Sequence, residues 1–248
     1  MTIKKNSVPE RRHNPGLLES SKFEYKRDGY YNYIAQLKEM GYEFEDFLHY
    51  FPCFVGEMTL SRVLALYEAY KLCSGINGHI ADVGMFRGAS SFLFAKLVKT
   101  FEPNSLVQVH GFDWFEGNQP DEWEKNIKPG GGKESHNRVE LLSSLQDLDN
   151  TLKIHKLDLI NETKAFFEAN PHLRFKLIFM DAGLYAVVKS CLPYFWERLA
   201  KGGVIVFDQY NFDIAPGETI AVNEVLGELD VEIRTFPFAW MPTAYIIK

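Results

Sequence analysis

Cysteine is scarce in this 248-residue chain: Cys53, Cys73 and Cys191 are all it has. They are odd in number, far apart and set among apolar neighbours. That excludes a disulfide framework and a cysteine metal cluster, and it predicts buried thiols in a reducing compartment. No run approaches the ~20 apolar residues of a membrane span, and the polar stretch Met1 to Asn6 lacks the apolar centre of a secretory signal. A cytoplasmic protein without a membrane partner is therefore expected. Excess positive charge is missing too, since 27 Lys and Arg stand against 33 Asp and Glu, a net charge of -6. Nucleic acid is not the expected partner of such a chain, and a small molecule is. Two catalytic signatures are also absent: no Gly-x-Ser-x-Gly elbow marks a hydrolase, and no His or Cys spacing suits zinc.

What is present is ample apolar material, 46% of residues with 15% aromatic, enough for one core and a peripheral cap. Residues 1–28 hold seven Lys and Arg broken by Pro9, Pro15 and Gly16, and read as a flexible basic arm. Residues 29–75 read as a helical cap in which Ile34, Leu37, Phe44, Phe47 and Leu48 fall on apolar faces. A second cap helix runs from Thr59, its expected N-cap, to Leu72. The aromatic residues Tyr30, Tyr31, Tyr33, Phe47, Tyr50 and Phe51 of this cap suit burial in a second copy of the chain, a homodimer or higher homo-oligomer.

From residue 76 to 248 short apolar runs alternate with amphipathic helices. Strands are predicted at 79–86, 106–113, 152–158, 175–181 and 203–207, joined by helices, which makes them parallel. The runs 231–236 and 244–247 are joined too closely for a crossover helix and should be antiparallel. The expected fold is α/β, doubly wound: a mostly parallel seven-stranded sheet, helices on both faces and a C-terminal antiparallel hairpin. The polar segment 117–137, with Gly130, Gly131 and Gly132, is an insertion that reads either as an active-site lid or as a surface loop.

In such sheets ligands bind beyond the carboxyl ends of the strands. Five acids stand there on five successive strands: Asp82, Asp113, Asp158, Asp181 and Asp208. Gly84 and Gly88 after the first strand suit a tight turn and the close approach of a ligand, with a helix N-terminus behind them. Their spacing is not the six-residue dinucleotide fingerprint. Asp113 is placed to accept both ribose hydroxyls of an adenosine. Asp158 is placed to meet an adenine amino group, or else serves a surface turn. Asp181 and Asp208 can share one site, where carboxylates bind hydroxyls, hold a divalent cation or remove a proton. His110 and His155 fall inside strands and read as core residues, and His136 as a solvated loop residue.

The segments Asp82-Val83-Gly84-Met85-Phe86-Arg87-Gly88-Ala89-Ser90 and Gly111-Phe112-Asp113-Trp114-Phe115-Glu116-Gly117 resemble the macrocin and mycinamicin O-methyltransferase family. So do Asp181-Ala182-Gly183-Leu184-Tyr185 and the run Leu199 to Asp208, and the likeness spans Gly56 to Leu226. It implies an S-adenosylmethionine-dependent enzyme that methylates a hydroxyl of a sugar, a sugar-containing natural product or a nucleotide-sugar. It implies that Asp82, Gly84, Met85, Phe86, Arg87 and Ser90 surround the amino-acid end of the cofactor, and that Asp113, with Trp114 and Phe115, holds its ribose. Asp181 and Asp208 would be the catalytic acids. The family carries further acids of its metal and base apparatus where this chain has Gly183 and Gln209. A Mg ion on Asp208 and Gln209 is accordingly expected to bind weakly or not at all. The alternatives are a catalytically silent methyltransferase fold acting as a binding protein, and a nucleotide-dependent oxidoreductase on a similar sheet.

Overall fold

A computed structural model describes residues 21–248. Residues 1–20 of the expected basic arm lie outside the described residues. The remainder of that arm is helical, a 3₁₀ turn at Ser21–Lys26 followed by α1 (Arg27–Glu39). The chain divides into two compact units, 1–60 and 61–248.

The first unit holds α1, α2 (Phe44–His49) and α3 (Phe51–Phe54). The entry to α2 is a capping box, in which the Glu43 side chain takes a first-turn N–H while Asp46 takes the Glu43 N–H at 3.1 Å. None of these three helices carries a fully buried residue; the rings of Tyr42, Phe47 and Phe54 pack on one another at 4.5 to 6.3 Å. Cys53 is exposed here, contrary to the expected burial, because a four-residue helix has no interior to offer it; Cys73 and Cys191 are buried.

Helix α4 (Glu57–Leu72) begins before the unit boundary and runs into the second unit. It starts two residues earlier than Thr59, which lies within its first turn. The second unit then alternates β1 (His79–Val83), α5 (Ala89–Phe101), β2 (Val109–Asp113), α6 (His136–Leu145), β3 (Leu152–Lys156), α7 (Thr163–Ala169), β4 (Phe175–Met180), α8 (Tyr185–Arg198), β5 (Leu199–Phe207), α9 (Gly217–Leu226) and β6 (Ala244–Ile247). The sheet order is β3-β2-β1-β4-β5-β6, parallel except for β6, which runs antiparallel to β5. The order reverses between β1 and β4, so their carboxyl ends flank the crevice where doubly wound sheets hold ligands.

Among the described residues the sheet has six strands and not seven. The run 231–236 makes one antiparallel bridge, Arg234 to Tyr245, and its side chains from Glu232 to Thr235 are exposed. A strand with little to bury gains too little to extend its pairing.

Alternation sorts the strands onto two faces. Ala81, Val83, Phe112, Ile178, Met180, Ile205 and Phe207 pack against α7, α8 and α9 through Phe167, Leu192, Phe195 and Val222. Ile80, Val109, Leu177, Phe179, Val204 and Val206 pack against α4 and α5 through Leu66, Ala69, Phe94 and Val98. Truncating a ring such as Phe179, wholly buried between layers, would cost about 3–5 kcal/mol. Helix α4 is pinned near its end by a part-buried latch: the Tyr70 hydroxyl and the Lys176 ammonium both donate to Glu102 Oε1, each at 2.6 Å. Among the described residues no helix is long and apolar enough to cross a membrane.

Candidate active site

Two groups of carboxylates occupy the carboxyl edge of the sheet. The first belongs to β1 and β2. Asp82 lies within β1 and is fully buried. Its Oδ2 accepts the Ser90 hydroxyl at 2.7 Å and the Ser91 hydroxyl, both from the first turn of α5, while Oδ1 is buried without a partner. Burial raises its pKa to about 6 in spite of the two serines and the positive charge of Arg62. Asp113 ends β2 and spans two turns: Oδ2 accepts the Phe86 N–H at 2.8 Å and Oδ1 the Phe115 N–H at 2.6 Å. Phe86 and Phe115 both sit in the left-handed region, φ 48° and 64°. That backbone costs a bulky residue of order 1–3 kcal/mol, and charge-assisted bonds to one carboxylate offset it. Asp113 thus shapes the loops after both strands.

Gly84 and Gly88 make the tight turn expected of them. At Gly84, φ 91°, an added Cβ would run into the Asp181 carbonyl, and at Gly88, φ 86°, it would lie 2.6 Å from the Phe92 ring. What the missing side chains make room for is the protein's own tips of β1, β4 and α5. Around them Met85 is buried beneath Gly111, Phe86 is half-buried under the Arg87 guanidinium at 5.0 Å, and Arg87 pairs with Glu134 at 2.7 Å. Phe115 is buried 5.1 Å from the His136 ring, and Trp114 is half-buried beside Asp113. His136 opens α6, where a loop residue was expected.

The second group joins β4 and β5. Asp181 and Asp208 each follow the last residue of their strand, and Arg62 of α4 bridges them. Its Nη2 donates to Asp181 Oδ2 at 2.9 Å and its Nη1 to Asp208 Oδ1. The guanidinium lies 5.3 Å over the Phe179 ring. Burial works to lower the Arg62 pKa, but Asp208 and Asp181 outweigh it and hold the cation charged. Asp181 keeps 23% of its side-chain surface and Asp208 only 4%, so Asp181 is the member an incoming molecule can reach. Burial and then the neighbouring charge of Asp208 raise the Asp181 pKa well above the carboxylate range, against the pull of Arg62. Behind them Glu218, fully buried in the first turn of α9, accepts the Gln209 N–H at 2.7 Å and leaves Oε2 without a partner. Burial and the Asp208 charge favour its protonated form. Gln209 Oε1 is also buried without a partner, against Gly183.

Asp158 is engaged locally. Its carboxylate accepts the N–H of Ile160 at 2.9 Å and the side-chain amide of Asn161 at 2.7 Å, which makes it the turn residue leading to α7. In the insertion Glu124 is buried and accepts the N–H groups of Asp121 at 3.0 Å and Tyr185 at 2.9 Å, so that segment is anchored to the start of α8. His110 and His155 stack with Nδ1 3.0 Å from Nε2.

Arg62 and Glu124 were missed from sequence. A signal for Arg62 existed: it stands three, four, seven and eight residues before Ala65, Leu66, Ala69 and Tyr70, the buried stripe of α4. A cation on an apolar helix face needs an anion.

The first group suits S-adenosylmethionine. Asp113 has lone pairs left beyond its two backbone donors, and the orphaned Oδ1 of Asp82 is an acceptor awaiting a donor such as an ammonium. A divalent cation does not suit the second group. The carboxylate oxygens facing each other are taken by a guanidinium, and among the described residues no three His, Cys, Asp or Glu are arranged to hold a metal.

In sequence, no curated protein matches the chain. In structure it is similar over 100% of its length, and 98% of the other's, to CalS11, a calicheamicin methyltransferase, with a TM-score of 0.77 at 20% identity. An apo structure of CalS11, a TDP-rhamnose 3′-O-methyltransferase of calicheamicin biosynthesis, gives 0.71 at 23% identity over 92% of this chain and 95% of that one. The O-methyltransferase NovP gives 0.64 at 18% identity over 76% and 80%. At such identities the likeness is one of fold. The model of a family described as a methyltransferase domain matches residues 81–210, more than half the chain, from within β1 to just beyond Asp208. The chain therefore belongs to the methyltransferase-domain family, whose fold implies S-adenosylmethionine as methyl donor.

Proposed function

We propose that this chain is an O-methyltransferase whose acceptor is a sugar hydroxyl, on a nucleotide-sugar or a sugar-bearing natural product. The observation that carries the reading is the pair Asp181 and Asp208, two carboxylates on adjacent strand tips with one reachable from outside. The resemblance to the macrocin and mycinamicin enzymes supports it, as does the substrate of CalS11, TDP-rhamnose.

The donor, when bound, supplies a sulfonium-activated methyl group to which an acceptor oxygen bonds as the sulfur leaves. Asp113 accepts ribose hydroxyls, and Asp82 accepts from the amino end, with Gly84, Met85, Phe86, Arg87 and Ser90 forming the turn around it and Trp114 and Phe115 the ribose wall. Asp181 receives the proton of the acceptor hydroxyl, because it combines exposure with raised proton affinity. Asp208, nearly closed off and paired with Arg62, fixes the guanidinium that orients the acceptor.

Incubation with methyl-labelled S-adenosylmethionine and a panel of TDP-sugars tests the reading: label in an alkali-stable sugar methyl ether supports it, and transfer only to amine or carbon acceptors refutes it. Exposed Phe44, Leu48, Tyr50 and Phe51 support pairing of two copies through the first unit. Light scattering at micromolar concentration should give a dimer mass or larger.

A further inference from the structure

The acceptor side resolves as a charge arrangement once each oxygen is assigned. In sites of this chemistry a divalent cation would sit between carboxylates of neighbouring strands, balance them and hold a hydroxyl oxygen. Here Asp181 Oδ2 and Asp208 Oδ1 converge on the two terminal nitrogens of one arginine. The guanidinium is held on its face by Phe179 and from outside by α4, which the Tyr70–Glu102–Lys176 latch fixes eight residues further along. We propose that Arg62 is a built-in cation: it occupies the place of a divalent metal between Asp181 and Asp208 with a single positive charge, and it presents its remaining N–H donors to the acceptor hydroxyl.

Three observations converge on it. Two of the five guanidinium donors are used by the aspartates, and the side chain keeps 24% of its surface, so donors remain for a ligand. A metal entering beside Arg62 would meet a fixed positive charge in a poorly solvated place, where repulsion is weakly screened. Gln209 Oε1 and Glu218 Oε2 are buried without partners, yet among the described residues no three His, Cys, Asp or Glu are arranged to hold a metal. A hydroxyl that donates to Asp181 while accepting from Arg62 is both positioned and polarised, the oxygen gaining charge as its proton leaves.

This inference rests on the reading of the Asp181 and Asp208 pair as the acceptor side, and a binding measurement separates the two. Mn²⁺ is the probe, followed by the loss of its free-ion electron paramagnetic resonance signal with the full-length protein. The wild-type protein should leave the signal of millimolar Mn²⁺ unchanged, and Arg62→Ala should remove it in one-to-one proportion, at least about ten-fold tighter than wild type. Double replacement Arg62→Ala, Asp208→Asn should abolish the gain. On the activity side, methyl transfer by wild type should survive exhaustive chelation within about two-fold, and Arg62→Lys, which keeps the charge, should retain more activity than Arg62→Ala. Tight Mn²⁺ binding by wild type that Asp181→Asn removes would overturn the proposal, whether or not Arg62→Ala folds. So would a folded Arg62→Ala that binds no Mn²⁺. Failure of every sugar acceptor would sink the proposed function and leave the metal result to be judged alone.

Discussion

The carboxylates of β1 and β2 and those of β4 and β5 stand on the same edge of one sheet, yet they are satisfied by donors of opposite kinds. Asp82 and Asp113 take hydroxyls and backbone N–H groups from turns that adjoin their own or the neighbouring strand, Ser90, Ser91, Phe86 and Phe115. Asp181 and Asp208 depend on Arg62, 119 and 146 residues away in sequence. The first half is held by uncharged donors and keeps oxygens for those of a ligand, and the second already contains its counter-charge. A shared position on a fold therefore does not imply a shared electrostatic task.

The sharpest way to test that contrast is substitution that keeps shape and removes charge. Asp181→Asn should lower turnover about 100-fold or more while S-adenosylhomocysteine affinity stays within a few-fold, and Asp208→Asn should follow the same pattern by freeing Arg62. Full turnover in both variants, measured on the authentic acceptor, would erase the difference between the halves. Because burial and Asp208 raise the Asp181 pKa, the base is active only once it loses its proton. The rate should climb with pH across a range above that of ordinary carboxylates.

On the other half the effect should fall on binding. Asp113→Ala should weaken S-adenosylhomocysteine by roughly 1–3 kcal/mol in calorimetry. It should also lower the melting temperature, since the strained Phe86 and Phe115 lose their common acceptor. Lower stability with intact affinity would mean that the carboxylate serves the loops alone. Asp82 gives a milder test. Its folded pKa of about 6 lies above the unfolded value, so its protonated form is the one that folding favours, and that contribution is lost as pH rises through 6. An ammonium needs the ionised form, so cofactor affinity should fall by up to ten-fold per unit as pH drops below about 6, in excess of any change in an Asp82→Asn variant. The smallest effect concerns the insertion. Exchange of amides 125–133 should slow when cofactor and acceptor bind, while Glu124 and Tyr185 are already protected in the free protein. Equal exchange with and without ligands would make 117–137 a surface loop.

The same contrast explains what could be read in advance. The alternation of strands and helices, the parallel pairing and the acids near the strand ends follow from local periodicity and short spacing, and they agree with the structure apart from the seventh strand. That run is apolar at Val231, Ile233 and Phe236, but most of it lies exposed, and pairing beyond one bridge is a tertiary outcome. The Asp113 acid was visible at its strand end; its grip on Phe86, 27 residues earlier, was not, because nothing local signals a left-handed phenylalanine. Arg62 was hidden for a related reason. Its helix was recognised, but a charge matters only through what it meets, and that depends on the packing of α4 against Phe179.

One contact bears on how such a site changes over generations. Gly183 and Gln209, the two positions where the resembled family carries acids, are spatial neighbours: a side chain at 183 would begin 2.6 Å from Gln209 Oε1. At φ 67° any side chain at 183 strains the backbone, although aspartate bears that conformation better than most, and it would also press on the flexible end of Gln209. Shortening Gln209 removes the contact and leaves the backbone strain at 183 in place. Replacing an arginine-centred site by an acid-rich one therefore takes coupled changes at 183 and 209 and not a single substitution.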